Sequence, residues 1–242
     1  MKLCFLADNG PAAMQALRAC IKKYGQVDLA KADVVIVLGG DGFMLKTLHG
    51  LLNYQTPVFG LNLGHVGYLL NHFSLDDLPD RVENTDRIQV APLHLRMKTH
   101  LGQTHDLYAF NEFAFGRSRP QAARLNVVVT DECDLQPRLV EKEFLGDGLI
   151  VATRMGCHGY FASAGGTPLE QDGIGVQSVC SKDGLSDNFS TNAHVYVVPQ
   201  ESVKRPVHVD CDGQTRIENV QMATVQSESK YIQTLLKERS KS

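Results

Sequence analysis

Short apolar runs and helical segments alternate along the first sixty residues. Unbroken apolar runs predict buried strands at residues 3–7, 34–38 and 57–61. Apolar residues recur at helical spacing between the first two runs, up to Gly25, and again over Met44–Leu52. Strands that alternate with helices predict a parallel sheet, so we expect a Rossmann-like α/β domain here.

The hydrophobic pattern changes near Ile88, where apolar and polar residues begin to alternate. Leu93–Lys98 alternates in this way, Leu125–Val129 begins a further strand, and short strands with Gly, Asp or Asn turns continue to about Val225. The predicted domains are an α/β nucleotide-binding domain over residues 1–88 and a β-rich, β-sandwich-like domain over residues 89–227.

Two further segments complete the predicted secondary structure. Ser74–Asp77 is typical of a helix N-cap and predicts a short helix that ends near Asn84. Tyr231–Lys237 is predicted to form a short charged helix, and residues 228–242 could return to the first domain. Residues 230–242 carry a dense basic run, which is typical of a solvated chain end.

Composition narrows the classes of function. A formal net charge of -3 with 43% hydrophobic and 21% charged residues is ordinary for a globular protein and offers no basic surface to nucleic acid. The cysteines form no Cys-x-x-Cys pair, which predicts free thiols in a reducing compartment. The N-terminal apolar run is too short for a signal peptide, and no run is long enough to span a membrane. We therefore expect a cytoplasmic protein with no nucleic-acid or membrane partner.

The turn Gly39-Gly40-Asp41-Gly42 lies between the second strand and its helix. The first amide groups of a helix have no partner within it, and the helix dipole favours negative charge there, so such a turn is suited to phosphate. Asp41 has two interpretations at this position. It could cap the helix, or it could accept a proton from a hydroxyl that attacks the phosphate.

Further motifs follow the glycine turn in a fixed order. They are GLNLGHVGY at residues 60–68, Asn111-Glu112, GDGLIVAT at residues 146–153, and SAGG at residues 163–166. Together with the glycine turn they resemble the NAD kinase family, the ATP:NAD 2′-phosphotransferases, over most of residues 1–166. The resemblance implies an α/β domain and a β-rich domain with the site between them. It also implies homo-oligomers, dimers or tetramers, in which a neighbouring subunit helps to complete the NAD pocket.

The resemblance also implies a reaction and the residues that perform it. The γ-phosphoryl group of ATP, or of polyphosphate in some members, passes to the 2′-hydroxyl of the adenosine ribose of NAD. Mg²⁺ is the expected divalent cation, without dedicated protein ligands. Asp41 is implied as the base, and Gly39, Gly40 and Gly42 as the phosphate-binding turn. The implied NAD-binding residues are Asp41, Gly42, Tyr68, Asn111, Glu112, Asp147, Met155, His158, Gly159, Tyr160 and Ser163.

Several of these residues have a purely structural alternative. The amide and carboxylate of Asn111-Glu112 are suited to sugar hydroxyls, but taken alone the pair is better interpreted as a polar strand end. Asp147 lies between two glycines and could serve only the turn. Tyr68 could stack on adenine or pack in the core.

The chain departs from the family just after Thr153. Where the family usually has Pro, Ser, Thr and Ala, this chain has Arg154, Cys157, His158 and Gly159. Cys157 beside His158 suggests a nucleophile or a metal site. We disfavour both, because neighbours in sequence seldom adopt the geometry that either site requires.

Two later segments are also unusual. Glu170–Asn192 is predicted to be a long polar loop, where the family tends to have a proline-rich connection. Asp210-Cys-Asp-Gly213 is faintly similar to a calcium loop but lacks the downstream ligands, so an Asp-Gly hairpin turn is predicted instead.

Three functions are therefore compared. The leading hypothesis is an active NAD kinase. The second is a relative that binds NAD(P) but transfers phosphate poorly, because the loop after Thr153 has changed. The third is a lipid kinase of the diacylglycerol or sphingosine type, which shares the Gly-Gly-Asp-Gly turn; the later motifs weigh against it.

Overall fold

The computed structural model describes residues 1–64, 67–132 and 137–239. The elements of the first ninety residues are β1 (Leu3–Ala7), α1 (Pro11–Tyr24), β2 (Val34–Gly39), α2 (Asp41–Gly50), β3 (Val58–Asn62), β4 (Asn71–His72), α3 (Leu78–Glu83) and β5 (Thr85–Val90). The elements that follow are β6 (Leu93–Thr99), β7 (Thr104–Ala109), β8 (Glu112–Arg117), β9 (Ala123–Asp131), β10 (Arg138–Gly146), β11 (Gly148–Ala152), α4 (Tyr160–Ser163), β12 (Ile174–Val179), β13 (Ser186–Phe189), β14 (Ala193–Gln200), β15 (Val207–Cys211), β16 (Thr215–Ile217), β17 (Val220–Ser227) and β18 (Gln233–Glu238). The chain divides into two compact units, Met1–Val90 with Tyr231–Ser242, and Ala91–Lys230.

The first unit contains a mixed sheet with the strand order β1-β2-β3-β18-β5, and β4 pairs with β3. The strands β1, β2, β3 and β18 are parallel, and β5 is antiparallel to β18. Every residue of β2 is buried, because its apolar side chains face packed elements on both sides of the sheet. The predicted α/β fold is confirmed.

Helix α1 begins at Pro11 and ends just before Gly25, where its sequence predicts the end. Pro11 occupies the first turn, where a missing N–H costs nothing. At the other end Gly25 has φ +78° and donates its backbone N–H to the Ile21 carbonyl oxygen at 2.9 Å. Such a left-handed backbone favours glycine, which explains why the helix stops here.

The predicted C-terminal helix over Tyr231–Lys237 is wrong, because this segment is the strand β18. Leu235 and Leu236 are both buried, since β18 lies between β3 and β5 within the sheet. The Gln233 side chain donates to the carbonyl oxygens of Leu51 and Tyr54 at 3.0 and 3.1 Å. Consecutive residues of a strand point to opposite faces of the sheet, so a central strand buries both leucines. A short helix at the surface would bury only the residues on one side. Residues 240–242 of the basic run lie outside the described residues.

The second unit is a β-sandwich. One sheet has the order β10-β9-β14-β17-β6-β7, and the other has the order β13-β12-β11-β8-β15-β16. Alternate residues of β9 are buried, and one continuous apolar core contains side chains from both sheets, such as Val127 and Val151. The predicted β-rich, sandwich-like fold is confirmed.

The predicted polar loop over Glu170–Asn192 is also wrong, because it contains the hairpin β12–β13. Ile174 and Val176 are fully buried in the core of the sandwich. The Gln177 side chain is buried but paired, because its Oε1 accepts the Ser186 hydroxyl at 2.6 Å and its Nε2 donates to the Ser178 carbonyl oxygen at 2.7 Å. Polar composition alone therefore predicted a loop where the chain forms two strands, because a buried polar side chain can be paired within the sheet.

The described cysteines Cys4, Cys20, Cys157, Cys180 and Cys211 are free thiols, as predicted, and Cys133 lies outside the described residues. None of the helices in the described part of the chain is long and apolar enough to cross a membrane.

Candidate active site

The glycine turn joins the buried strand β2 to helix α2. Gly40 is the N-cap residue, and its carbonyl oxygen accepts the backbone N–H groups of Phe43 and Met44, both at 3.0 Å. The helix therefore starts directly after Gly40, which leaves its first amide groups at the carboxyl end of the central strand. This is the location at which open α/β sheets bind ligands.

Gly40 and Gly42 are not required by the packing of the protein. A Cβ added to either would meet no atom of the described chain within 4 Å, and neither has a positive φ. Gly39 differs, because a Cβ there would lie 3.0 Å from the Phe43 side chain. Without a side chain, either glycine lets a ligand approach the backbone closely, and phosphate binding by this turn stays a prediction.

Asp41 is the first residue of helix α2 and not its cap, so the capping interpretation is wrong. Its carboxylate instead accepts two backbone N–H groups from the segment after β3. Tyr68 donates to Oδ2 and Leu69 donates to Oδ1, each at 3.0 Å. Two parallel contacts fix the orientation of the carboxylate and still leave oxygen lone pairs for a third donor.

The residues after β3 form a turn beside the glycine turn. The Asn62 side chain accepts the backbone N–H of Gly64 at 2.8 Å, and the Gly39 carbonyl oxygen accepts that of Leu63 at 2.8 Å. Two residues of this motif, 65 and 66, lie outside the described residues. Tyr68 is 78% exposed, so the alternative of a core residue is wrong and its ring is open to stacking.

In the second unit, Asn111 and Glu112 lie at the start of β8, where one aspartate organises the backbone. The Asp212 carboxylate accepts the backbone N–H groups of Phe110, Asn111 and Glu112 at 2.8, 2.9 and 3.0 Å. Asp212 and Gly213 have φ +50° and +62° in the turn between β15 and β16, which confirms the predicted Asp-Gly hairpin. The sequence did not predict that this turn contacts Asn111-Glu112, because backbone contacts across a hundred residues leave no periodic pattern.

Glu112 is an unusual carboxyl group. Burial, together with the nearby charge of Asp212, raises the pKa of Glu112 from 4.5 to about 7. A group with such a pKa can either donate or accept a hydrogen bond near neutral pH. This property suits a residue that contacts a sugar hydroxyl, which is itself both donor and acceptor.

Asp147 lies in the turn between β10 and β11. Its backbone is fixed on both sides, since its N–H donates to the Val179 carbonyl oxygen at 2.8 Å and its carbonyl oxygen accepts the Arg117 N–H at 3.0 Å. Its carboxylate forms an ion pair with Arg117, with 2.6 Å between Nε and Oδ1. Asp147 thus has a structural role in the turn and a partner, Arg117, that the sequence did not predict. Its role in binding NAD stays a prediction.

The altered loop packs against Asn111. The Asn111 carbonyl oxygen accepts the Thr153 backbone N–H at 2.8 Å, and a Cβ on Gly156 would lie 2.3 Å from that oxygen. The Thr153 hydroxyl donates to the Phe110 carbonyl oxygen at 2.6 Å and accepts the Gly156 N–H at 3.1 Å. Of the predicted NAD-binding residues in and after this loop, Met155 is half-buried, Ser163 donates to the Gly159 carbonyl oxygen, and His158, Gly159 and Tyr160 are exposed.

Cys157 and His158 face different environments. Cys157 is fully buried beside Ile150 and Phe161, its thiol donates to the Arg154 carbonyl oxygen at 3.0 Å, and its sulfur accepts the Leu169 N–H at 3.3 Å. His158 is exposed. The thiol therefore serves packing, which supports the prediction that the pair forms neither a nucleophile nor a metal site.

The fold defines a two-unit protein that combines an α/β domain, with a glycine turn after its central strand, and a β-sandwich. Residues 13–84 match the family model of the ATP-NAD kinase N-terminal domain. An NAD kinase of Rhizobium meliloti (strain 1021) is 36% identical over 220 residues, which cover 88% of this chain and 82% of that protein. An NAD kinase of Hyphomonas neptunium is 32% identical over 234 residues, covering 94% and 89%. The chain belongs to the NAD kinase family.

Solved structures with the same fold include two kinases. An NAD kinase from Archaeoglobus fulgidus in complex with ATP has a TM-score of 0.77 at 21% identity, covering 99% of this chain and 94% of that one. Yeast NADH kinase complexed with NADH has a TM-score of 0.79 at 18% identity, covering 99% and 84%. These likenesses concern the fold. The sequence relatives make the lipid-kinase alternative wrong.

Proposed function

We propose that the protein is an NAD kinase, which transfers the γ-phosphoryl group of ATP or polyphosphate to the 2′-hydroxyl of the adenosine ribose of NAD and yields NADP. The observation that carries the proposal is the position of Asp41. Asp41 is the first residue of helix α2, directly after Gly40 of the glycine turn. The backbone amides of Tyr68 and Leu69 orient its carboxylate.

Asp41 acts as the general base in this proposal. A ribose hydroxyl is a weak nucleophile, and a positioned carboxylate that accepts its proton assists the attack on phosphorus. The bare backbone of Gly40 and Gly42 binds the phosphates, and the start of helix α2 favours their negative charge. The rest of the catalysis is positioning and neutralisation of charge.

Mg²⁺ would be bound together with the phosphate donor. Mg²⁺ in kinases is held by substrate phosphates and one or two carboxylates, and it keeps several waters. The donor set of the glycine turn fits this pattern, because Asp41 offers one carboxylate with lone pairs beyond those used by the amides. The ion would neutralise phosphate charge there, without a dedicated protein cage.

The proposed NAD-binding residues come from both units of the protein. Asn111, Glu112 and Asp147 contact ribose hydroxyls, and Tyr68 offers an exposed ring for the adenine. The other proposed contacts are Asp41, Gly42, Met155, His158, Gly159, Tyr160 and Ser163. We also propose a cytoplasmic homo-oligomer, dimer or tetramer, because free thiols suit a reducing compartment and the NAD kinase family is oligomeric.

A second candidate is a relative that binds NAD(P) but transfers phosphate poorly. The observation in its favour is the ion pair between Arg117 and Asp147, which already occupies a carboxylate assigned to NAD. The departures at Arg154, Cys157, His158 and Gly159 fall in the same unit.

One experiment separates the two candidates. The purified protein is incubated with NAD, Mg²⁺ and either ATP or polyphosphate, and NADP is detected with an NADP-specific dehydrogenase. We expect NADP from at least one donor, and none when NAD or the donor is omitted. Calorimetric binding of NAD without any NADP from either donor would support the binding protein and contradict the kinase.

A further inference from the structure

Lys237 contacts the chain segment that orients Asp41. Its ammonium Nζ donates to the Leu70 carbonyl oxygen at 2.6 Å. Leu70 directly follows Tyr68 and Leu69, whose amides donate to the Asp41 carboxylate. A segment of three residues is thus bound to Asp41 through its amides and to Lys237 through its carbonyl oxygen.

The backbone of Lys237 is itself fixed in the sheet. The Asn71 side chain donates to the Leu236 carbonyl oxygen at 3.0 Å and accepts the Glu238 N–H at 2.9 Å, so the residues before and after Lys237 are both bonded to one amide. Because Asn71 adjoins Leu70, the same strand contacts two consecutive residues of the segment. Strand β18 is parallel to β3, so Lys237 lies toward the carboxyl edge of the sheet, where β2 ends in the glycine turn.

The charge of Lys237 is held in a half-buried position. Burial lowers the pKa of Lys237, and the carboxylates of Asp41 and Glu238 partly offset that effect. Partial burial of an ammonium group is unfavourable unless it is paired, and ordering a lysine side chain costs rotamer entropy. An exposed orientation would avoid both costs, so the observed contact indicates a role beyond solvation.

We propose that Lys237 is a positioning residue for Asp41, which acts through the backbone of Tyr68–Leu70. The proposal rests on the proposed function of Asp41 as the general base. The ammonium keeps the Leu70 carbonyl in place, and with it the two amides that orient the carboxylate. A general base must lie within hydrogen-bond distance of the hydroxyl that it deprotonates, and a misplacement of about 1 Å can reduce the rate about 100-fold.

The test compares Lys237→Met with Arg239→Met. The first variant keeps an apolar stem of similar length but removes the donor to Leu70. The second removes a nearby cation that pairs with Asp86 at 3.0 Å on an exposed surface, and it is the matched control. Steady-state kinetics with ATP, Mg²⁺ and NAD are measured together with hydrogen exchange of the Tyr68 and Leu69 amides.

We expect Lys237→Met to lower kcat about 10- to 100-fold with the KM of NAD within about threefold of the parent, and to accelerate exchange of both amides. Arg239→Met should change neither, and Lys237→Arg should recover part of kcat, because a guanidinium can still donate to Leu70. A general loss of packing would instead lower the unfolding midpoint and raise both KM values without recovery by arginine.

Either of two results would overturn the proposal: unchanged kcat in Lys237→Met, or unchanged exchange of the two amides. If Lys237→Met does not fold, the comparison is made with Lys237→Gln and Lys237→Arg under the same criteria. A parent protein that makes no NADP would refute the proposed function, whereas the amide exchange would still decide whether Lys237 fixes the segment.

Discussion

Glu112 and Asp212 are joined by two reciprocal hydrogen bonds. The Glu112 N–H donates to Asp212 Oδ1 at 3.0 Å, and the Asp212 N–H donates to the Glu112 carbonyl oxygen at 3.1 Å. Glu112 begins β8, and Asp212 lies in the turn between β15 and β16. One aspartate in a hairpin turn therefore fixes the backbone that carries both proposed ribose ligands, Asn111 and Glu112.

The first prediction is that Asp212→Asn destabilises the protein and weakens NAD binding. Asparagine tolerates the left-handed backbone of this turn, so the hairpin itself should persist. However, its NH₂ group cannot accept the amides that the carboxylate accepts, and a buried donor without a partner costs about 1–3 kcal/mol. Urea unfolding measures the stability, and calorimetric titration measures the affinity for NAD.

Asp210→Asn is the control for this prediction. Asp210 lies two residues away and pairs with Arg216 on a more exposed surface, with both of its oxygens 2.7 Å from guanidinium nitrogens. We expect Asp210→Asn to lose less stability than Asp212→Asn and to bind NAD with the affinity of the parent. Equal effects of the two variants would contradict the assigned role of Asp212.

The second prediction concerns the pH dependence of stability. The folded state raises the pKa of Glu112 from 4.5 to about 7, so it binds the proton more tightly than the unfolded chain does. The stability from this group is fully present below about pH 4.5 and is lost as the pH rises through about 7. Since one pKa unit corresponds to about 1.4 kcal/mol, Glu112→Gln should be more stable than the parent at pH 8 by up to about 3 kcal/mol.

Urea unfolding at a series of pH values between 4 and 8 tests this prediction. Glu141→Gln, which changes an exposed carboxyl group on β10, should keep the pH profile of the parent. Asp212→Asn removes a like charge near Glu112 and should move the loss of stability to lower pH. A Glu112→Gln variant with the same pH profile as the parent would contradict the raised pKa.

The third prediction is that Asp41→Asn lowers kcat while the affinity for NAD stays within a few-fold of the parent. The amide keeps the size of the side chain but cannot accept the hydroxyl proton, and a general base contributes about 10²–10⁴-fold. Asp76→Asn, at an exposed ion pair with Lys23, is the control and should keep the parent kcat. Undiminished turnover in Asp41→Asn would falsify the assignment of the base.

Local pattern was sufficient for much of this fold. The apolar run Val34–Leu38 can be buried on both faces only in a central strand, and Gly25 ends its helix because of its positive φ. The hairpin turn at Asp212-Gly213 was likewise predictable from two residues. In each case the determining interaction lies within a few residues along the chain.

The errors fall where distant segments decide the structure. Gln233–Glu238 is a strand because β3 and β5 provide partners more than a hundred residues away in sequence. The strand β12 is buried because it pairs with β11 and packs in the core that both sheets of the sandwich share. The contacts of Asp212 and Lys237 with backbone groups are equally long-range. A charged residue in a polar stretch does not indicate which distant backbone group it will contact.

The last prediction concerns the loop that departs from the family. A Cβ at Gly156 would lie 2.3 Å from the Asn111 carbonyl oxygen and 2.6 Å from its Cα, so the backbone of Asn111 must move to admit it. A Cβ at Gly159 meets only the Gly156 carbonyl oxygen at 3.6 Å, an ordinary contact. We therefore expect Gly156→Ala to destabilise the protein by about 1–3 kcal/mol because of overpacking. It should also weaken NAD binding, because it displaces Asn111, a residue proposed to bind the ribose.

Gly159→Ala is the control for stability, one 3₁₀ turn further along the same loop, and it should destabilise the protein less. Urea unfolding and calorimetric titration with NAD measure the two effects separately. Weakened NAD binding in Gly156→Ala at a pH and temperature where the variant is fully folded would connect the loop to Asn111 directly. If Gly156→Ala keeps both the stability and the NAD affinity of the parent, the loop does not rest on Asn111, and its departures from the family have no route to that residue.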